Sequence, residues 1–249
     1  MDIIGRGFLA RHLRGIAGAH PGVVAVAAGV SAATGTSTAQ FAREAALLAT
    51  VLERCLATGE RLVFFSTAST GMYGAPGGCG REDEPVEPRT PYGRHKLDLE
   101  ARIRSSTVDH LILRLAHVAG PDQPPHQLLP SLASQVLAGT VRIHRGARRD
   151  VIDVVDVVAV IDRLLAAVTG PAVVNVATGH AVPVEALVAG IEARLRTRAE
   201  RVVVDTPPMN HLVSIDTLRR LVPAVDAMGF GPRYHEAVLD RYVPVAISV

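Results

Sequence analysis

Tyr92 and Lys96 stand four positions apart in Tyr92-Gly93-Arg94-His95-Lys96, so on a helix they share one face, a turn apart. A phenol has a pKa of about 10, and it becomes a useful acid or base at neutral pH only when a nearby cation stabilises its anion. Lysine supplies that cation as a compact charge with rotatable N–H donors, whereas arginine is planar and bulkier. Composition adds weight to the choice, because Lys96 is the one lysine among 26 basic residues and the other 25 are arginine. A chain that has drifted so far toward arginine keeps lysine where arginine cannot do the same work.

Upstream, Phe64-Phe65-Ser66-Thr67-Ala68-Ser69-Thr70-Gly71-Met72-Tyr73-Gly74 ends an apolar stretch in a cluster of hydroxyls. If that stretch is a strand of an open α/β sheet, its carboxyl end lies where ligands bind. A hydroxyl there can donate a hydrogen bond to a substrate oxygen as negative charge develops on it.

A third group lies at the amino end, where Gly5-Arg6-Gly7-Phe8-Leu9-Ala10 follows Asp2-Ile3-Ile4 as Gly-x-Gly-x-x-Ala between a strand and a helix. Small residues in such a turn let backbone N–H groups approach a pyrophosphate and aim a helix N-terminus at its charge. The acidic residue expected about 20 positions on, which would bond the adenosine ribose, is missing. After Asp2 the first carboxylate is Glu44, while Arg6, Arg11, Arg14 and Arg43 fall in the same interval. The cofactor is therefore expected to be NADP(H), with NAD(H) the alternative. Only 15 residues separate Gly7 from the next apolar run at Val23, too few for the usual strand and second helix. One strand and one helix of the nucleotide-binding half are expected to be deleted or much shortened.

Positioning these groups requires a parallel sheet covered by helices, and short β-branched runs do alternate with helical patterns. The expected strands are Asp2 to Ile4, Val23 to Ala27, Arg61 to Ser66, Leu111 to Leu115 and Val173 to Val176. Phe41, Ala45, Leu48, Leu52 and Cys55 predict an amphipathic helix that Gly59 terminates, and a second begins after Pro91 and runs to about Arg104. Further helices are expected over Leu128 to Leu137, Val157 to Ala167 and Val184 to Arg196. Pro121, Pro124, Pro125 and Pro130 mark a departure from the sheet. The fold class is thus α/β, a Rossmann-like sheet over residues 1–115 and 151–180, with a small substrate lobe from 116–150 and 181–249.

Hydrophobic content of 48% over 249 residues is ample for such a core. No apolar run approaches the roughly 20 residues that span a bilayer, and the N-terminus lacks the pattern of a signal peptide, so a cytoplasmic location is expected. A net charge of +2 implies no general attraction to nucleic acid or membrane. Cys55 and Cys79 have no metal-ligand spacing and are read as free thiols, and no metal is expected.

In chain order, the glycine loop, Ser66-Thr67-Ala68-Ser69 with Tyr73-Gly74, Pro91-Tyr92-Gly93 with Lys96, Leu113-Arg114-Leu115 leading to Gly120-Pro121, and Arg149-Asp150-Val151 leading to Asp156 resemble an extended short-chain dehydrogenase/reductase of the NAD-dependent epimerase/dehydratase type. The resemblance covers roughly residues 1 to 180. It implies a nucleotide-sugar substrate, a homodimer, Tyr92 as general acid/base and Lys96 as its electrostatic partner and ribose ligand. Alignment from the strand selects Thr67 as the catalytic hydroxyl, and counting back from Tyr73 selects Ser69. The resemblance also assigns Gly5, Arg6, Gly7, Phe8, Leu9, Ala27, Ala28, Gly29 and Ser66 to the cofactor. Leu115, Ala116 and Val118 would border the nicotinamide, His117 would stand near substrate phosphates, and Arg149 would grip a diphosphate. Arg142, Arg145, Arg148 and Arg149 form a basic segment suited to phosphate.

Dehydratases of that family carry an acidic pair after the catalytic hydroxyl, where this sequence has Ala68 and Ser69. Dehydration is disfavoured if Thr67 is the aligned residue. Reduction needs only the acid, the hydroxyl and the hydride, so an NAD(P)H-dependent ketoreductase of a keto-deoxysugar nucleotide or similar intermediate is expected. An epimerase is the alternative enzyme, and a non-catalytic nicotinamide-binding sensor or scaffold is the alternative of another class.

Overall fold

A computed structural model describes residues 1–31, 36–69, 72–73, 78–205 and 212–243. Thr70, Gly71 and Gly74 of the hydroxyl stretch lie outside the described residues, as do 206–211 and 244–249 of the expected lobe.

The chain opens with β1 (Asp2–Ile4), α1 (Phe8–Leu13), a 3-10 turn (Arg14–Ala19), β2 (Val23–Val26), α2 (Thr38–Thr58), β3 (Arg61–Thr67), α3 (Pro91–Ser105) and β4 (His110–Leu115). It continues through β5 (His117–Ala119), α4 (Leu128–Leu137), β6 (Thr140–His144), β7 (Arg148–Arg149), β8 (Val151–Asp153), α5 (Val154–Ala167) and β9 (Ala172–Val176). The remaining elements are β10 (Val182–Pro183), α6 (Val184–Leu195), β11 (Glu200–Val204), α7 (Asp216–Leu221), a 3-10 segment (Pro223–Met228) and α8 (Tyr234–Tyr242).

All five strands foreseen from the sequence form, and they make one parallel sheet in the order β1-β2-β3-β4-β9. The inner strands are buried on both faces, which is why they read as continuous apolar runs and not as alternating ones. One face, through Ala25, Val63 and Leu113, packs on Leu13 of α1 and on Val157, Val160 and Ile161 of α5. The other, through Val26, Phe64 and Ile112, packs on Leu48 and Val51 of α2 and on Leu99 and Ile103 of α3.

A full nucleotide-binding half has three strands, and the one bearing the glycine loop is internal to the sheet. Here no strand lies beyond the glycine-loop strand among the described residues, so both strands that flank it on that side of a full half are absent, one more than the short interval after Gly7 implied. What remains keeps the usual order from the glycine-loop strand onward, with β2, β3 and β4 following β1 across the sheet and β1 left at the edge. The path from β1 to β2 crosses the face of α1, and the next step, in the same direction, crosses the face of α2. Those two crossovers therefore have opposite hands. Helices that leave neighbouring strands toward opposite faces open a crevice at the strands' carboxyl ends, which preserves a cleft despite the two missing strands.

Helix α2 starts in a capping box, with the Ser37 hydroxyl accepting from Gln40 N–H and Gln40 reaching back to Ser37 N–H, and it stops at Gly59 in the left-handed region, φ 71°. Its inward stripe is Glu44, Leu48, Val51 and Cys55, not the expected Phe41, Ala45 and Leu52, which are half-buried. The helix is turned by about one residue so that a carboxylate faces inward. Helix α3 is capped by Thr90, whose hydroxyl accepts from Gly93 N–H at 3.0 Å, with Pro91 at its first position. That start sets Lys96, Leu99, Glu100 and Ile103 on its buried side.

A second apolar cluster joins α4, β6, α6 and α8 through residues such as Leu132, Val136, Ile143, Leu187 and Leu239, and β6 pairs in parallel with β11. Val213, Ile215, Leu218, Val222 and Val225 pack instead with the main sheet. The stretch assigned to the lobe from 181 onward is thus divided between the two cores, because α7 seals the β9 side of the sheet. Among the described residues no helix is long and apolar enough to cross a membrane.

Candidate active site

A cavity of about 580 Å³ opens at the carboxyl ends of β1 to β4, bounded on its far side by α4, β6 and β7. Its volume falls in the usual range for small-molecule sites. Tyr92, Lys96, Thr67 and Ser69 all stand in its wall. Gly7, Phe8 and Leu9 line it from the glycine loop and α1, Ala27 and Gly29 from beyond β2, and Leu115, Ala116, His117 and Val118 from beyond β4.

Three residues expected at the cofactor are not in that wall. Arg6 and Ala28 are exposed and do not line it. Gly5 serves the backbone: at φ +142° a Cβ there would lie 2.5 Å from the Ala27 carbonyl oxygen, so only glycine lets the loop pass the end of β2. Ser66 does reach the wall, but its hydroxyl donates to Glu100 at 2.5 Å and is turned inward. Thr67 and Ser69 are not alternatives in space. Their hydroxyls are 2.8 Å apart, and Ser69 N–H donates to Thr67 Oγ1 at 3.0 Å, so they act as one hydrogen-bonded pair.

Lys96 is 3% exposed, and its ammonium lies 5.7 Å from the Tyr92 ring centroid and 5.0 Å from that of Phe64. It donates to Glu44 Oε1 at 2.7 Å and to the Phe65 carbonyl at 3.1 Å. Burial pushes the Tyr92 phenol above its ordinary value, the Lys96 charge pulls it down, and Glu44 pushes it up again. Burial alone would raise the Glu44 carboxyl as well. The Lys96 charge, with hydrogen bonds from Lys96, Val30 N–H and His95, outweighs burial and holds it below the ordinary carboxylate range.

Beneath the hydroxyls runs a fully buried ion pair. Arg114, from β4, bonds Glu100 through Nε and Nη2, and its Nη1 donates to the Tyr73 hydroxyl at 2.9 Å. The Tyr73 hydroxyl donates in turn to Asn175 Oδ1 at 2.6 Å. This network braces the end of β3 from below.

On the lobe side, Arg142 and Arg149 of the basic segment reach the cavity, together with His126, Gln127, Gln135 and His144. Burial lowers the pKa of the Arg149 guanidinium. Arg145 pairs with Asp205 and Arg148 bonds the Ala181 carbonyl, so half of the segment faces away.

Sequence reasoning missed Glu44, His95 and Glu100 as partners of the site. A signal for Glu44 existed: it sits at i, i+4, i+7 and i+11 with Leu48, Val51 and Cys55, a carboxylate on an apolar stripe. Among the described residues no cluster of His, Cys, Asp and Glu could hold a metal ion.

The profile of the NAD dependent epimerase/dehydratase family matches residues 12–177. A dTDP-6-deoxy-L-talose 4-dehydrogenase (NAD(P)(+)) from Kitasatospora kifunensis is 31% identical over 138 residues, 51% of this chain and 43% of that protein. A UDP-glucose 4-epimerase from Azospirillum brasilense is 43% identical over 79 residues, 29% of this chain and 22% of that protein. The chain thus aligns with less than half the length of either curated relative. Among solved structures, the Thermus thermophilus UDP-glucose 4-epimerase in complex with NAD shares the fold at a TM-score of 0.73 and 23% identity, over 96% of this chain and 82% of that one. The profile spans most of the chain, the sheet and its cleft are those of that fold, and the protein belongs to the NAD dependent epimerase/dehydratase family.

Proposed function

We propose that the chain is an NADP(H)-dependent ketoreductase acting on a keto-deoxysugar nucleotide or a similar biosynthetic intermediate. The observation that carries this reading is the convergence of Tyr92, Lys96 and the Thr67–Ser69 pair on one cavity that the glycine loop borders. A nicotinamide cofactor fits the residues present: Lys96 has three N–H donors, and the protein uses two of them, leaving one for a ribose hydroxyl. The first turn of α1 carries no acid that would repel a pyrophosphate.

When bound, the cofactor supplies the hydride. Tyr92 gives its phenolic proton to the carbonyl oxygen as that oxygen gains charge. Lys96 steadies the phenolate that results, and the Thr67–Ser69 pair donates a hydrogen bond to the same oxygen. Arg149 and Arg142 offer charge to a diphosphate on the lobe side, with His117 beside it. We assign the chain to a homodimer on the strength of the family resemblance, with sedimentation as the check.

Arg6 does not line the cavity, so the NADP(H) preference rests on the lack of an acid near the glycine loop. The dehydrogenase relative, matched over about half of this chain, supports reduction. The epimerase relative supports the second reading, turnover with the cofactor retained. To separate them, the protein is incubated with NADPH or NADH and a panel of keto-sugar nucleotides, and separately with UDP-hexoses. Net loss of reduced-nicotinamide absorbance, faster with NADPH, is expected. Hexose interconversion without net cofactor loss would replace this reading with epimerisation, and a higher kcat/KM with NADH would sink the NADP(H) preference.

A further inference from the structure

Glu44 is a carboxylate with no obvious reason to be buried. It lies on the inward stripe of α2, its side chain is 2% exposed, and isolated charges in such places are strongly disfavoured. Both of its oxygens are engaged on elements that frame the cavity. Oε1 accepts from Lys96 at 2.7 Å, and Oε2 accepts from Val30 N–H at 3.1 Å and pairs with His95 Nε2 at 3.0 Å. The backbone makes room for it too. A Cβ on Gly29 would sit 2.2 Å from Glu44 Oε1 and 3.0 Å from Lys96 Nζ, so the loop after β2 passes this ion pair only because residue 29 has no side chain. The His95 ring, 4.4 Å from that of Phe41, closes the outer side.

We propose that Glu44 is a positioning residue for the reaction: its buried carboxylate fixes the Lys96 ammonium beside Tyr92 and cancels part of the charge that the phenol feels. This inference rests on the role of Tyr92 stated above. A lysine alone would favour the phenolate strongly, whereas a lysine already paired with a carboxylate favours it less, so Tyr92 stays a proton donor to higher pH. The anchor also fixes which N–H of Lys96 faces the cavity, because the other two point at Glu44 and at Phe65. The charged and titratable groups facing the pair from the surrounding elements are Glu44 from α2 and His95 from α3. Across the cavity stand His117, His126, His144, Arg142 and Arg149.

The test compares wild type, Glu44→Gln, Gly29→Ala and Tyr92→Phe by two readouts: the pH profile of kcat/KM for carbonyl reduction, and the Kd of the reduced cofactor measured by its fluorescence in the absence of substrate. Glu44→Gln removes the charge and keeps the shape. Its alkaline limb is expected about one pH unit lower than wild type, the size that one nearby charge commonly produces. Cofactor affinity is expected to fall severalfold as Lys96 loses its anchor. Gly29→Ala forces the carboxylate aside and should move the limb in the same direction, and it decides the matter if the Gln variant does not fold. A folded Glu44→Gln protein with the wild-type limb and wild-type Kd would overturn the proposal, as would a variant that loses only thermal stability. Retention of turnover by Tyr92→Phe would instead remove the assigned acid, and this inference with it.

Discussion

The phenol of Tyr92 is half-buried against a cation that is itself almost fully buried, and that combination separates its two jobs. As a proton donor it governs chemistry, whereas its ring is only one patch of a large cavity wall and contributes little to holding a cofactor. Tyr92→Phe should therefore lower kcat by about 10²- to 10⁴-fold, the usual yield of a positioned acid, while the cofactor Kd stays within about twofold of wild type. A Phe variant keeping more than about a tenth of the turnover would refute the assignment. The Ser66–Glu100–Arg114 contact makes a different demand. Glu100 is fully buried and bonds both the Ser66 hydroxyl and the Arg114 guanidinium, so Glu100→Gln leaves a buried cation without its counter-charge. The expected loss is about 3–5 kcal/mol of stability, read by urea unfolding. A change below about 1 kcal/mol would show that Arg114 finds another partner or is hydrated.

Elements explain why the glycines of the loop are not equivalent. Gly5 is required by the turn, since its Cβ would enter the Ala27 carbonyl, while a Cβ on Gly7 meets nothing within 4 Å. Gly7→Ala should leave Tm unchanged and weaken cofactor binding at least about tenfold, because the added methyl stands where a pyrophosphate would approach the backbone. Gly5→Ala should lower both. Equal cofactor affinity in wild type and Gly7→Ala would mean that the loop is a plain strand-to-helix turn. The same scale shows what the sequence made legible. Long strands and helices announced themselves through β-branched runs, caps and apolar stripes, and Tyr92, Lys96, Thr67 and Ser69 came together because they lie at the ends of those elements. Residues whose role depends on how a helix is rotated stayed hidden: Glu44 faces Lys96 only because α2 turns by about one residue from its most apolar side. The pairing of β5 with β8 spans three residues, too few to carry a period, whereas β6 alternates exposed and buried over its five residues, a legible strand signal missing from the expected set. The short interval between Gly7 and Val23 revealed that part of the nucleotide-binding half was gone, but not that both strands beyond β1 were absent, because chain length does not say on which side of β1 the next strand pairs.

At the scale of the whole molecule, tyrosine hydroxyls tie together parts that the sheet does not reach. Asn175 accepts from Tyr73 while its amide donates to the carbonyls of Gly80 and Ser214, which joins β9 to two loops over the main core. In the lobe, the Tyr242 hydroxyl donates to Asp153 at 2.7 Å, and Asp153 N–H donates to Tyr234, whose own hydroxyl bonds Asp156. Helix α8 is pinned to the start of α5 by these contacts. Burial is the main cause that pushes Tyr73 up to about 12, against the pull of the Arg114 charge, and burial with Asp153 pushes Tyr242 up to about 12. These shifts have a definite sign. A phenol in the unfolded chain loses its proton near pH 10, while in the fold it holds the proton to about 12. The stabilisation is therefore fully present below about pH 10 and is lost as pH climbs toward 12, since only the unfolded state gains from ionising in that window. Tm should fall steeply between about pH 10 and about pH 12, and Tyr73→Phe, though less stable at neutral pH, should lose less over the same interval. An identical Tm-versus-pH slope in wild type and Tyr73→Phe would show that the Tyr73–Asn175–Arg114 hub is not what links stability to alkaline pH.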